Sequence, residues 1–211
     1  MDKNKPLLKV LIVLGVIAIL ALLWFKGKYN NMVVLDEGVK TAWSQVENQY
    51  QRRLDLIPNL VATVQGYASH ERETLEGVIE ARSRATSINI TPSNMSQINL
   101  EQFQAAQNQL SGALSRLMVV LERYPELKAN QNFLELQAQL EGTENRIAVE
   151  RMRFNEAAQK YNTFIRLFPA NIVASLFNFE QKPYFAAQEG SDRAPTVNFS
   201  GLSNRTPARA E

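Results

Sequence analysis

The sequence predicts an all-α protein: a single N-terminal transmembrane helix followed by an elongated antiparallel four-helix bundle with a kinked, long first helix. Three observations carry this expectation. An unbroken apolar run stands near the N-terminus, from Val10 to Phe25. Over most of the remaining chain, apolar residues recur every three or four positions, which keeps one helix face turned toward a partner. Helix breakers are scarce: of 211 residues nine are glycine and eight proline, and the prolines fall mostly between the periodic stretches.

The apolar run follows a short polar N-terminus, residues 1–6, and extends to about 19 residues when Leu7, Leu8 and Lys9 are included, or roughly 28 Å of helix against a bilayer core of about 30 Å. Leu7 and Val10 begin this anchor, placed at 7–28, while Trp24 and Phe25 close it where an interfacial aromatic belongs. Lys9 has the stem to reach the headgroups. An uncleaved anchor is expected over a signal peptide, because the run exceeds a usual apolar core and no A-x-A site follows. Lys3, Lys5 and Lys9 precede the span, whereas Lys26 and Lys28 follow it with Asp36 and Glu37 beyond. This bias puts the N-terminus in the cytoplasm and the bundle outside a bacterial inner membrane.

The bundle is expected over residues 29–186. Its first helix carries an apolar seam at Val39, Trp43, Val46, Tyr50, Leu54, Ile57, Val61, Val64 and Ala68. Pro58 interrupts that seam chemically, since it cannot donate to the Leu54 carbonyl and its ring crowds it. A kink between Leu54 and Pro58 is expected over a plain break capped by Asp55, because the spacing runs through the proline without a change of phase. Gly66 and Ser69 suggest a stop and restart, Ser69 capping a second helix that ends near Thr86; a single helix over 30–86 stays open. A loop over 87–99 follows. The third helix shows Leu100, Phe103, Ala106, Leu110, Leu114, Leu117, Leu121 and Tyr124, and Pro125 turns the chain. A fourth is expected from Pro125 to Phe168, along Leu127, Phe133, Leu136, Leu140, Ile147, Phe154, Tyr161 and Ile165. The apolar segment 170–179, with Phe177 and Phe179, either lies in the bilayer interface or folds onto the base of the bundle. The tail, 187–211, reads as flexible, with residues 196–199 a possible edge strand.

Composition excludes several chemistries. Lys and Arg total 23 against 21 Asp and Glu, interleaved along the helices, so the chain has no electrostatic footprint for nucleic acid. Without cysteine it has no disulfide, thiolate metal site or thiol nucleophile. His70 is the single histidine, so neither a zinc helix nor a di-iron bundle with paired Glu-x-x-His motifs is available. With no glycine-rich phosphate loop either, the expectation is a protein that is not an enzyme and holds no metal or cofactor.

One charged constellation stands out: Arg52, Arg53 and Asp55 flanking the Pro58-Asn59 pair on the first helix, and Glu144, Asn145, Arg146 and Arg151 on the fourth. Counted from Asn30, Asp55 lies about 38 Å along its helix, and Glu144 about 36 Å back from Phe168. Antiparallel helices bring them level, so either a charge network fixes the register or the charges face solvent.

The run RRLDLIPNLVATVQGYASHERETLEGVIEAR, followed by YPELKANQNF, GTENRIAVERMRFNEAAQKYN, FPANIVASLFNF and YF…AP…VNF, resembles the LemA family of bacterial membrane proteins from Tyr29 to Phe199. The resemblance implies a membrane-spanning helix followed by an elongated helical bundle, and implies no reaction. The expected role is a membrane-anchored scaffold that touches the lipid bilayer, forms homo-oligomers through seams at Trp43, Tyr50 and Tyr67, or binds an unidentified protein. An accessory or regulatory subunit of a membrane protease or signalling kinase is the alternative, and an enzyme comes third.

Overall fold

The computed structural model describes residues 5–92 and 94–186, with the backbone alone for residues 5–8. The expectations for the Leu7 side chain, the tail and the 196–199 strand lie outside the described residues. Six helices account for nearly all of the rest: α1 Lys5–Gln65, α2 Arg72–Ser87, α3 Gln97–Leu121, α4 Pro125–Lys128, α5 Gln131–Arg166 and α6 Ala170–Leu176.

At 61 residues, α1 is one helix about 91 Å long. From Val10 to Leu23 its large apolar side chains are exposed all round, as a lipid-facing helix requires, and Trp24 remains partly exposed. Phe25 is the first to lean on the protein core, and Met32 is fully enclosed. Beyond that point every residue of the predicted seam is buried.

Pro58 sits inside α1, so the chain does not break there. The carbonyl that the proline leaves without its helical donor belongs to Leu54, and Arg82 on α2 reaches across to donate to it from Nε at 2.8 Å. The proline thereby makes an acceptor that ties two helices together.

The separation of the first and second helices is real, but Ser69 does not cap the second. Glu71 occupies the cap position of α2 without a side-chain bond to that helix. Its carboxylate instead accepts from Arg123 at 3.0 Å and Tyr124 at 2.8 Å, sewing together the two turns at the distal end. The fourth helix also departs from expectation. Pro125 opens the short α4, and Asn130 accepts from the Phe133 backbone N–H to start α5 as a separate helix. Ser96 caps α3 in the same way.

The part of α1 beyond residue 29 matches α5 in length, about 54 Å. Along their contact the numbers run in opposite senses: Trp43 meets Phe154, Arg53 meets Glu144, and Tyr67 accepts from Asn130. The second layer is α2 packed on α3. Two corrections follow for self-association, because Trp43 and Tyr50 are core residues rather than an exposed seam. Tyr67 alone of the three remains exposed. Phe168 departs too: it ends the α5 periodicity yet is 81% exposed.

Replacing Arg82 with alanine removes the side-chain donor that reaches the Leu54 carbonyl from α2. The expected loss is about 1–2 kcal/mol in thermal or chemical unfolding. In a Pro58→Ala background the restored backbone N–H takes over, so the same Arg82→Ala change is expected to cost well under about 1 kcal/mol. Equal losses in both backgrounds would contradict this account.

Candidate functional site

The interior divides into two apolar clusters. The one nearer the span is rich in aromatics, with Trp43, Tyr50, Phe103, Phe154, Tyr161 and Phe185; the distal one is aliphatic, with Leu54, Ile57, Leu60, Leu110, Leu117 and Leu140 among its members. Between them, one helical turn thick, lies a polar layer. It takes Arg53 from α1, Gln107 and Ser111 from α3, and Thr143 and Glu144 from α5.

Arg53 is the centre of the layer and is 2% exposed. Its guanidinium donates to Glu144 Oε2 at 2.6 Å, to Ser111 Oγ at 3.0 Å, to the Gln107 carbonyl at 3.4 Å and to Gln107 Oε1. The Tyr50 ring lies against its other face, 5.2 Å from centroid to Cζ. Burial pushes the Tyr50 phenol above its ordinary pKa, against the pull of Arg151 and Arg53. Because Glu144 is 48% exposed on its side chain, the ion pair is half in water. Its Coulomb gain is therefore screened, and most of its worth lies in satisfying a desolvated cation in one geometry. An open groove between α3 and α5, lined by Leu114, Met118 and Leu140, exposes this layer to the surface.

The structure brings together Arg53 and Glu144 from the predicted constellation and disperses the others. Asp55 is exposed and accepts from Gln51 on its own helix at 2.8 Å, so the expected cross-helix pairing does not form. Arg52, Asn145 and Arg146 are exposed, as are Pro58 and Asn59. Their positions relative to the seam explain this: Arg53 sits next to Leu54 on the inward face, whereas Arg52 and Asp55 turn away from it. His70 lies exposed in the turn before α2, and among the described residues no three Asp, Glu or His side chains gather as a cation site would need.

Arg151 belongs to a second arrangement that the sequence reading missed. After α6 the chain reverses at Asn178, with φ of 55°, which asparagine tolerates better than most residues. It then returns along α5 as a strap over residues 180–186. Two asparagines of α5, one heptad apart, each hold a strap residue by both backbone groups: Asn162 binds Lys182 with two bonds of 2.8 Å, and Asn155 binds Phe185 at 2.9 and 3.1 Å. Phe185 is stacked on Trp43 at 6.0 Å and covered by the Arg151 guanidinium at 4.7 Å. Arg151 and Gln104 both donate to the Ala186 carbonyl. An extended segment has no ladder of its own, so these side chains supply the partners its buried backbone needs. Asn162 and Gln104 at core-facing positions were the available signals.

Asp36 completes the strap's attachment through Lys182 at 2.8 Å. Burial pushes its carboxyl up, but the hydrogen bonds from Lys182 and Lys40 outweigh this and hold its pKa below the ordinary value. Burial, with Asp36 and Glu180 nearby, pushes the Tyr161 phenol up to about 12.

A helix long and apolar enough to cross a membrane, passing without interruption into a helical bundle, defines a membrane-associated helical protein. The chain belongs to the LemA family, whose profile it matches over residues 42–199. It is similar to the magnetosome protein MamQ 2 of Paramagnetospirillum magneticum, 28% identical and covering 88% of this chain and 74% of that one. MamQ of Magnetospirillum gryphiswaldense is 26% identical over 78% of this chain and 67% of its own. Protein LemA of Metamycoplasma hominis is 22% identical over 78% and 72%. None of these names denotes a catalytic activity.

Arg53→Ala is expected to lower stability by about 2–4 kcal/mol, through lost packing and stranded partners. Asp55→Ala is expected to cost less than about 0.5 kcal/mol; unfolding of the two variants side by side checks the contrast. For Asp36, a folded pKa below the unfolded one means its contribution is present above the unfolded value and vanishes as pH falls through the folded one. Amide protection of the strap, corrected for intrinsic exchange, should therefore stay level from about pH 7 to 5 and drop only below about pH 4. Asp36→Asn should abolish that acid step.

Proposed function

We propose that this protein is a non-enzymatic, membrane-anchored helical scaffold, in which an antiparallel bundle works at a bacterial inner membrane by binding protein partners or further copies of itself. The observation that supports this reading most directly is the continuity of α1. One helix serves both as the exposed apolar segment and as the central stave of the bundle. The polar side chains of the interior are spent on holding helices and strap in register, which is the chemistry of a rigid body with an outward-facing role. Membership of the LemA family, and similarity to proteins named for the magnetosome, agree with a place in a membrane-bound assembly.

In this reading the N-terminus is cytoplasmic and the bundle lies outside. Val119, exposed near the distal end of α3, provides the test in a chain free of cysteine. Val119→Cys should react with a membrane-impermeant maleimide in intact cells; reaction only after permeabilisation would reverse the orientation. Self-assembly predicts that the chain purified in mild detergent runs as multiples of its own mass, and a monomer at micromolar concentration would remove that half of the proposal.

A further inference from the structure

We infer that α6 is a second membrane contact, an interfacial foot that rests its exposed apolar stripe in the headgroup region beside the span. This rests on the reading of α1 as a membrane anchor.

The two faces of α6 differ sharply. Ala170, Val173 and Ala174 are buried against the aromatic core. On the outside, Ile172 and Leu176, spaced by four, are 52% and 66% exposed, and Phe168, just before the helix, is exposed as well. Leu167 and Phe177 widen this stripe. Such a concentration of large apolar side chains on one small element is costly in water and calls for a covering.

Its position identifies the covering. Tyr29 of α1 meets Phe177 edge-on at 4.8 Å and Phe179 at 5.7 Å, which fixes α6 at the level where α1 leaves its apolar stretch. Trp24 to Tyr29 is only about 7.5 Å along the helix axis. A headgroup layer is roughly 5–8 Å thick per leaflet, so the stripe cannot stand clear of a bilayer crossed by residues 10–25. Charge agrees with this placement. Lys26 and Arg166, near the patch in sequence, are exposed, and neither residues 25–35 nor 163–179 contain an Asp or Glu, Asp36 and Glu180 being the first beyond them. A cationic rim about an apolar stripe suits an interface with anionic headgroups. A second copy is the poorer occupant, because five side chains fall well short of the roughly 800 Å² per partner of a stable protein interface.

The test uses the full-length chain in phosphatidylcholine–phosphatidylglycerol vesicles, with single cysteines carrying an environment-sensitive fluorophore. Nitroxide lipids labelled near the headgroup should quench Ile172→Cys and Leu176→Cys several-fold more than Val119→Cys at the distal end, with emission shifted to the blue. Emission and quenching equal to the Val119→Cys control would overturn the inference, as would a blue shift without lipid quenching, which would mean a protein surface covers the stripe. Leu20→Cys, quenched by nitroxides deep in the acyl chains, reports the anchor separately. Quenching at Leu20→Cys without quenching at Ile172→Cys sinks the foot alone, whereas an unquenched Leu20→Cys sinks the anchor and the foot with it.

Discussion

Taking a guanidinium out of water demands acceptors for it, and Arg53 on α1 draws them for both terminal nitrogens from α3 and α5, while its buried Nε has no hydrogen-bond partner among the described residues. Leucines and alanines on either side of it can exchange neighbours by sliding a turn at modest cost. The layer resists such a slide: a one-turn shift of α5 moves Glu144 about 5.4 Å away and brings Ile147 and Ala148, or Leu140 and Glu141, to the level of Arg53 instead. The apolar clusters supply most of the cohesion, whereas the layer decides which of the many apolar registers is the native one.

The same economy of polar groups recurs elsewhere. Pro58 frees a carbonyl and Arg82 uses it; the strap has no ladder and Asn155 and Asn162 provide one. In the cluster nearer the apolar stretch, Trp43 packs against Phe103 and Phe154, and Phe185 of the strap packs on Trp43 and Phe154. The indole also donates to the Ile90 carbonyl, so the loop between α2 and α3 is pinned from the same side chain. Aromatic packing and backbone capture thus meet at one residue.

The helices were legible in the sequence because their apolar spacing is regular, and every seam position named on α1 is buried. Arg53 with Glu144 could be matched by helix rise alone, but distance along an axis carries no azimuth, which is why Asp55 and Arg52 were drawn into the layer and proved to face outward. Phe168 continues the periodic pattern past Arg166, where α5 ends ahead of Pro169, and so reads as core. Ser69 looked like a cap because its residue type favours that position, while the chain used Glu71 to join two turns distant in sequence. The strap was missed for a related reason: its contacts are backbone groups held from 20 and 30 residues away, and no local periodicity announces them.

An α-helix without a break is stiff, and α1 runs as one helix from its apolar stretch into the bundle, with a single proline, Pro58, near its distal end. The apolar stretch and the bundle therefore share an axis. Spanning helices lean by about 20° on average, and a lean of that size carries the distal turns sideways by about 18 Å. With the apolar stretch spanning as proposed, bilayer thickness, by setting the lean, sets where in the surrounding space those distal turns can be found.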